Sequence, residues 1–203
     1  INTDEYDNIK SVVNDYLKEG IDHTLDETRN LSDSGQFEDI SLQQGIRQIL
    51  YPYEEMEVLN PEWEVILKDI IDSLFEQMSD EEYNILNEEF GTYMVSRAYE
   101  YRQLLEYLVF RYFAKSIYDY DFLGKCQMLV TNFFVIRQMD IIRWLDNHRE
   151  YSFKDRMDVV HIFSRQVEYS EDNIENLYED FIFDDIFKTD SLIAILWIDS
   201  ENI

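Results

Sequence analysis

Apolar residues recur along this chain at three- and four-residue steps, the period of a helix with one buried face. Thr3 to Glu19 carries Tyr6, Ile9, Val12, Val13, Tyr16 and Leu17 in that rhythm, with Gly20 as a stop. Residues 21–36 are polar around Leu25 and Leu31 and predict a short helix followed by a loop. A second amphipathic segment runs from Ile40 to Leu50 and is expected to stop before Pro52, which biases its predecessor away from helical geometry. Asn60 followed by Pro61 is a helix start, because the Asn amide oxygen can cap free N–H groups and Pro at the first position forfeits no bond. That helix should reach Met78 on a stripe formed by Trp63, Ile66, Leu67, Ile70, Ile71, Leu74 and Phe75. Ser79 and Glu82 have the capping-box spacing and open a short helix towards Gly91.

The next two segments are apolar around most of their circumference, as central helices must be. The first, from Thr92 to Ile117, is expected to be the longest and widely buried; the second runs from Phe122 to Leu145. Ser152 with Asp155 starts a helix extending to Val167, and Ser170 caps another that buries Ile174, Leu177, Tyr178 and Phe181. For Ser191 to Ile198 periodicity leaves helix and strand open. The pattern predicts an all-α fold: an irregular bundle of about seven to nine helices with two long central ones. It covers residues 1–203 as a single helical domain, with a minor boundary allowed near 21–36. The chain opens on Ile1 without an initiator Met, so it is expected to be a fragment with sequence missing upstream.

Composition narrows the function classes. Five Gly and two Pro in 203 residues leave few tight turns for a sandwich or barrel. The single Cys126 excludes an intramolecular disulfide and any thiolate-ligated zinc or iron–sulfur site built by this chain alone, and favours a reducing, cytoplasmic compartment. No run is long enough to span a membrane. With 17 Lys and Arg against 44 Asp and Glu, the formal net charge is −27. Nucleic acid and anionic lipid are therefore poor partners, and a lysine-bearing protein or a cationic ligand is a good one. Residues 97–168 hold 11 basic and 10 acidic side chains, so the acidic excess lies in the flanks.

The five glycines are isolated, so no phosphate-cradling loop is visible, and nothing marks a nucleophile elbow. Cys126 reads as a small buried side chain. Asp158 and His161 have the spacing of a di-iron carboxylate motif, but it occurs once where such a site needs it twice, so no metal site is expected and His161 reads as a hydrogen-bonded helix residue. Arg111 sits among apolar residues with Glu106 on a different face, and needs a partner from another element. Arg165 and Glu168, three apart, can meet each other or reach Arg111. Arg137, Asp140 and Arg143 form a ladder read as solvated pairs. Tyr99, Tyr101, Tyr107 and Tyr112 crowd one helix, where they either pack or present faces to a cation.

Three segments, LEYLVFRYF at Leu105–Phe113, VIRQMDIIRWL in the following helix and FSRQVEY at Phe163–Tyr169, resemble the C-terminal region of flagellin lysine-N-methylases, loosely from the Trp63 helix to Trp197. The resemblance implies methyl transfer from S-adenosylmethionine to lysine amines of flagellin, with an iron–sulfur cluster held by an N-terminal cysteine-rich region that this chain lacks; neither cofactor is expected to be bound by this chain. Glu106 and Arg111 match the family's EN-Y-L-V-x-R-type helix and Arg165 with Glu168 its R-x-x-E pattern, so these four are implied as substrate-binding residues. Tyr107 and Tyr169 stand where the family often has Asn and His. The chain is then a helical support for substrate binding, inactive alone. The alternative is an acidic helical scaffold that docks a basic partner.

Overall fold

A computed structural model describes residues 41–201; the predicted helix at 3–19 and the boundary near 21–36 lie outside the described residues. Among the described residues every regular element is helical. Helix α1 spans Leu42–Glu54, α2 Pro61–Ile70, α3 Asp80–Met94, α4 Ala98–Tyr112, α5 Ser116–Asp119, α6 Phe122–Asp146, α7 Phe153–Phe163, α8 Glu171–Phe183 and α9 Thr189–Glu201. The expected starts are realised in atomic detail. Asn60 accepts from the Glu62 amide, Ser79 and Glu82 close their box, Ser152 and Asp155 close another, and Ser170 accepts from Asn173. The apolar tail takes the helical option, as α9.

Three boundaries differ from expectation for visible reasons. Helix α1 continues through Pro52 because the residue after it, Tyr53, is fully buried and its hydroxyl donates to Asn132 Oδ1 at 2.7 Å. The missing Pro N–H weakens one turn, but the packing beyond it holds. Gly91 lies inside α3 instead of ending it. The run expected as the longest helix is divided by 3-10 turns at Val95–Arg97 and Phe113–Lys115. Its main piece, α4, buries only Glu100, Leu104, Leu108 and Tyr112 and turns Phe110 to solvent at 84% exposure. One face of α4 is therefore core and the other surface.

The longest described helix is α6, 25 residues, buried on nearly every side. Around it Trp63 packs against Tyr53 and Phe163, Phe90 against Trp144 and Tyr151, and Phe181 against Phe187. A helix buried all round has no solvent face for its polar residues, so each needs a protein partner. Gln127 donates to the Phe187 carbonyl at 2.8 Å, Gln138 accepts from the Tyr83 hydroxyl at 2.9 Å, and Arg137 donates to Asn87 Oδ1 at 3.1 Å beside Asp199 at 3.4 Å. The Arg137, Asp140 and Arg143 ladder is thus not a row of solvated pairs. Arg137 and Asp140 lie in the core, where α3, α4, α7 and α9 supply their partners.

Burial gives the fold a defined pH response. Burial pushes the carboxyls of Asp180 and Asp199 up from their ordinary range. A carboxyl raised in the folded state adds stability below its unfolded value that is lost as pH rises through its folded value. The reverse holds for Glu82, held low by the Ser79 amide and hydroxyl, and Asp119, held low by Lys125; it holds also for Asp155, which burial pushes up but bonds from Ser152 and Asn147 pull lower still. Their contribution disappears as pH falls through those lowered values. With 44 acidic against 17 basic side chains repelling one another, the urea midpoint should rise from about pH 8 to about pH 5 and fall below about pH 4. A midpoint that drops steadily from pH 8 to pH 5 would contradict this account.

Candidate functional site

Past Phe163 the α7 backbone widens into a π-helical turn, Ser164–Glu168. Such a turn inserts one residue and re-aims the side chains that follow, which is why π-turns recur at functional positions. Here it directs Glu168 inward against α4, where the residue is 8% exposed. The turn is anchored by Gln166, whose Oε1 accepts from the amides of Leu59 and Asn60 at 2.9 and 3.1 Å and whose Nε2 donates to the Glu57 carbonyl at 2.7 Å. The loop before α2 and the π-turn are therefore tied together by one fully buried amide.

Three hydroxyls converge on the Glu168 carboxylate. Tyr107 and Ser164 donate to Oε2, each at 2.7 Å, and Tyr112 donates to Oε1 at 3.0 Å. Arg111 adds charge from the same helix face: its Nε lies 3.9 Å from Oε1 and its Nη2 donates to the Glu168 main-chain carbonyl at 3.5 Å. Positions 107, 111 and 112 of α4 thus present two phenols and a guanidinium to a carboxylate brought by another element. Burial and the bond to Glu168 push the Tyr107 hydroxyl up to about 12, so it stays protonated at neutral pH. Its hydrogen is committed to Glu168, while its ring is exposed and its remaining oxygen lone pair can accept from a ligand. Arg111 is only part-buried and keeps N–H groups to offer.

Of the residues read from the sequence, Arg111 and Glu168 come together across two elements. Glu106 does not join them: it pairs with Arg102 at 3.0 Å on the outer face of α4. Arg165 is exposed, and among the described residues it meets neither Glu168 nor Arg111. The extra residue of the π-turn separates it from the position a regular helix would give it. Tyr169 is exposed as well. Ser164 and Tyr112 were not singled out for Glu168 by sequence; the Ser164 to Glu168 spacing of four was the available signal, whereas the tyrosines needed the packing of α4 on the π-turn.

A second polar centre lies deeper. Asp140, 0% exposed, accepts from the Tyr101 hydroxyl at 2.8 Å, from the Tyr151 hydroxyl and from Arg156 Nη1. Arg156 stacks over the Tyr101 ring at 4.3 Å, and its Nε lies 3.5 Å from Glu100, which also pairs with Arg97 at 2.8 Å. Asp140, Glu100 and Arg156 are buried, and the centre stitches α4, α6 and α7. Of the four tyrosines of α4, Tyr101 packs here, Tyr107 and Tyr112 serve Glu168, and Tyr99 faces solvent.

Among the described residues no cluster of three or more His, Cys, Asp or Glu could hold a metal ion. No described helix is long and apolar enough to cross a membrane. A family model, the FliB lysine N-methylase C-terminal domain, matches residues 1–195. No curated protein and no solved structure matches the chain.

Proposed function

Because the chain belongs to the FliB lysine N-methylase C-terminal domain family, and so carries a role related to flagellin lysine methylation, we propose that it supplies the helical surface on which the substrate is held, with Tyr107 and Arg111 as the contacts. The observation that carries this reading is the half-open state of those two side chains above the closed Glu168 carboxylate. Glu168 is occupied by three hydroxyls, so it orients and does not abstract a proton. Tyr107 then accepts from a lysine ammonium or amide, and Arg111 donates to a carbonyl of the same segment.

S-adenosylmethionine, when bound, supplies the methyl group. Cys126 is the sole cysteine of the chain and its thiol is pushed up by burial and by Asp121. One thiol of that kind does not fit an iron–sulfur cluster, so we assign the cluster to a part of the enzyme outside these helices, and the chain to a cytoplasmic, supporting role. A pure scaffold for a basic partner is the rival reading, resting on the net charge of −27.

Methylation of flagellin by the full-length enzyme, followed by mass spectrometry, separates them. Tyr107→Phe and Arg111→Ala should each raise KM about three- to tenfold with kcat within about twofold, as expected for lost uniform binding. Unchanged KM and kcat in variants that fold would favour the scaffold, and a kcat loss alone would place these residues in the chemistry and overturn the reading.

A further inference from the structure

On the side of the bundle where α2, α6 and α7 meet, a groove of about 670 Å³ opens to solvent. Its floor is apolar, made by Ile66, Met139, Ile142 and Ile162, with Val65 on the lip. Its rim is acidic, carrying Glu62, Asp69, Asp146 and Asp158, with Arg143 the one guanidinium among the lining residues. Asp158 is paired with Lys154 at 2.8 Å. Glu62, Asp69 and Asp146 have no ion-pair partner among the described residues and are exposed, so their charge stands over an apolar trough. No role assigned to Glu168 or Asp140 uses this surface.

We propose that the groove docks a lysine side chain carried on an extended basic segment of a partner protein. A lysine has the two chemistries the groove separates: a four-carbon stem that lies on aliphatic surface and an ammonium that stays at the wet carboxylate rim. The order of the layers matches, apolar below and anionic above. Arg143 alone would attract an acidic partner, but four carboxylates stand against that one guanidinium. His161 is also on the rim.

Titrating tetralysine into the full chain by calorimetry at about pH 8 and about 50 mM salt tests this. Glu62→Gln with Asp146→Asn should weaken binding about fivefold or more. Glu88→Gln with Glu175→Gln removes the same charge from exposed positions outside the groove and should change it less than about twofold. Val65→Ser, which leaves every charge in place, should weaken binding measurably. Equal losses in the two charge pairs, or no binding at all, would overturn the proposal. Because the assay reads binding of a peptide and no methyl transfer, its failure leaves the Tyr107 and Arg111 kinetics standing, and their failure leaves the groove standing.

Discussion

Asp140→Asn is expected to destabilise the protein by about 3–5 kcal/mol, read as a fall in the urea midpoint with little change in slope. The carboxylate is fully buried and is the counter-charge for Arg156, itself 5% exposed. Without it, Arg156 must rely on Glu100, which Arg97 already engages through two bonds at 2.8 and 3.0 Å. A buried guanidinium left short of charge is the expensive outcome, and the loss of the neutral tyrosine bonds is the smaller part. Removing the stranded charge should therefore recover stability: Asp140→Asn with Arg156→Met is expected to be more stable than the sum of the two single losses by about 2 kcal/mol or more. Strict additivity would show that the pair is not the coupled unit its geometry describes. Because α4, α6 and α7 all contribute, the loss should appear as one cooperative transition and not as fraying of a single helix.

How far this centre could be read from sequence follows from what a one-dimensional pattern contains. Periodicity and caps fix helices through bonds made within four residues, so Ser79, Ser152, Ser170 and the Asn60–Pro61 start were all legible. The same information misleads where a long-range contact outweighs a local preference, as Tyr53 does for Pro52. Charge spacing misled for the same reason. Arg137, Asp140 and Arg143 look like an exposed ladder because residues three apart share a face, but Arg137 and Asp140 lie on covered faces of α6, and Asp140 answers to Arg156, 16 residues on. The need of Arg111 for a partner from elsewhere was legible, because an apolar neighbourhood cannot satisfy a guanidinium. That the partner is Glu168 alone, with Arg165 turned out, depends on the single extra residue of the π-turn, which no period of 3.6 announces.

That dependence gives the second large effect. Glu168→Leu is expected to lose about 2–4 kcal/mol of stability, because three hydroxyls lose their acceptor and the buried Tyr112 hydroxyl can recover none from water. Glu168→Gln keeps an oxygen and most of the volume, and should lose about half as much. The functional readout separates the roles of the surrounding groups. If Glu168 orients Tyr107 and Arg111, then in full-length enzyme Glu168→Gln should raise the KM for flagellin by a factor close to that of Tyr107→Phe, about three- to tenfold, and combining the two should add little. Multiplicative losses in the double variant would mean that the carboxylate meets the substrate through a path other than the Tyr107 hydroxyl. An unchanged KM at measurable destabilisation would mean that the π-turn carboxylate is a fastener between α4 and α7, with no part in holding flagellin.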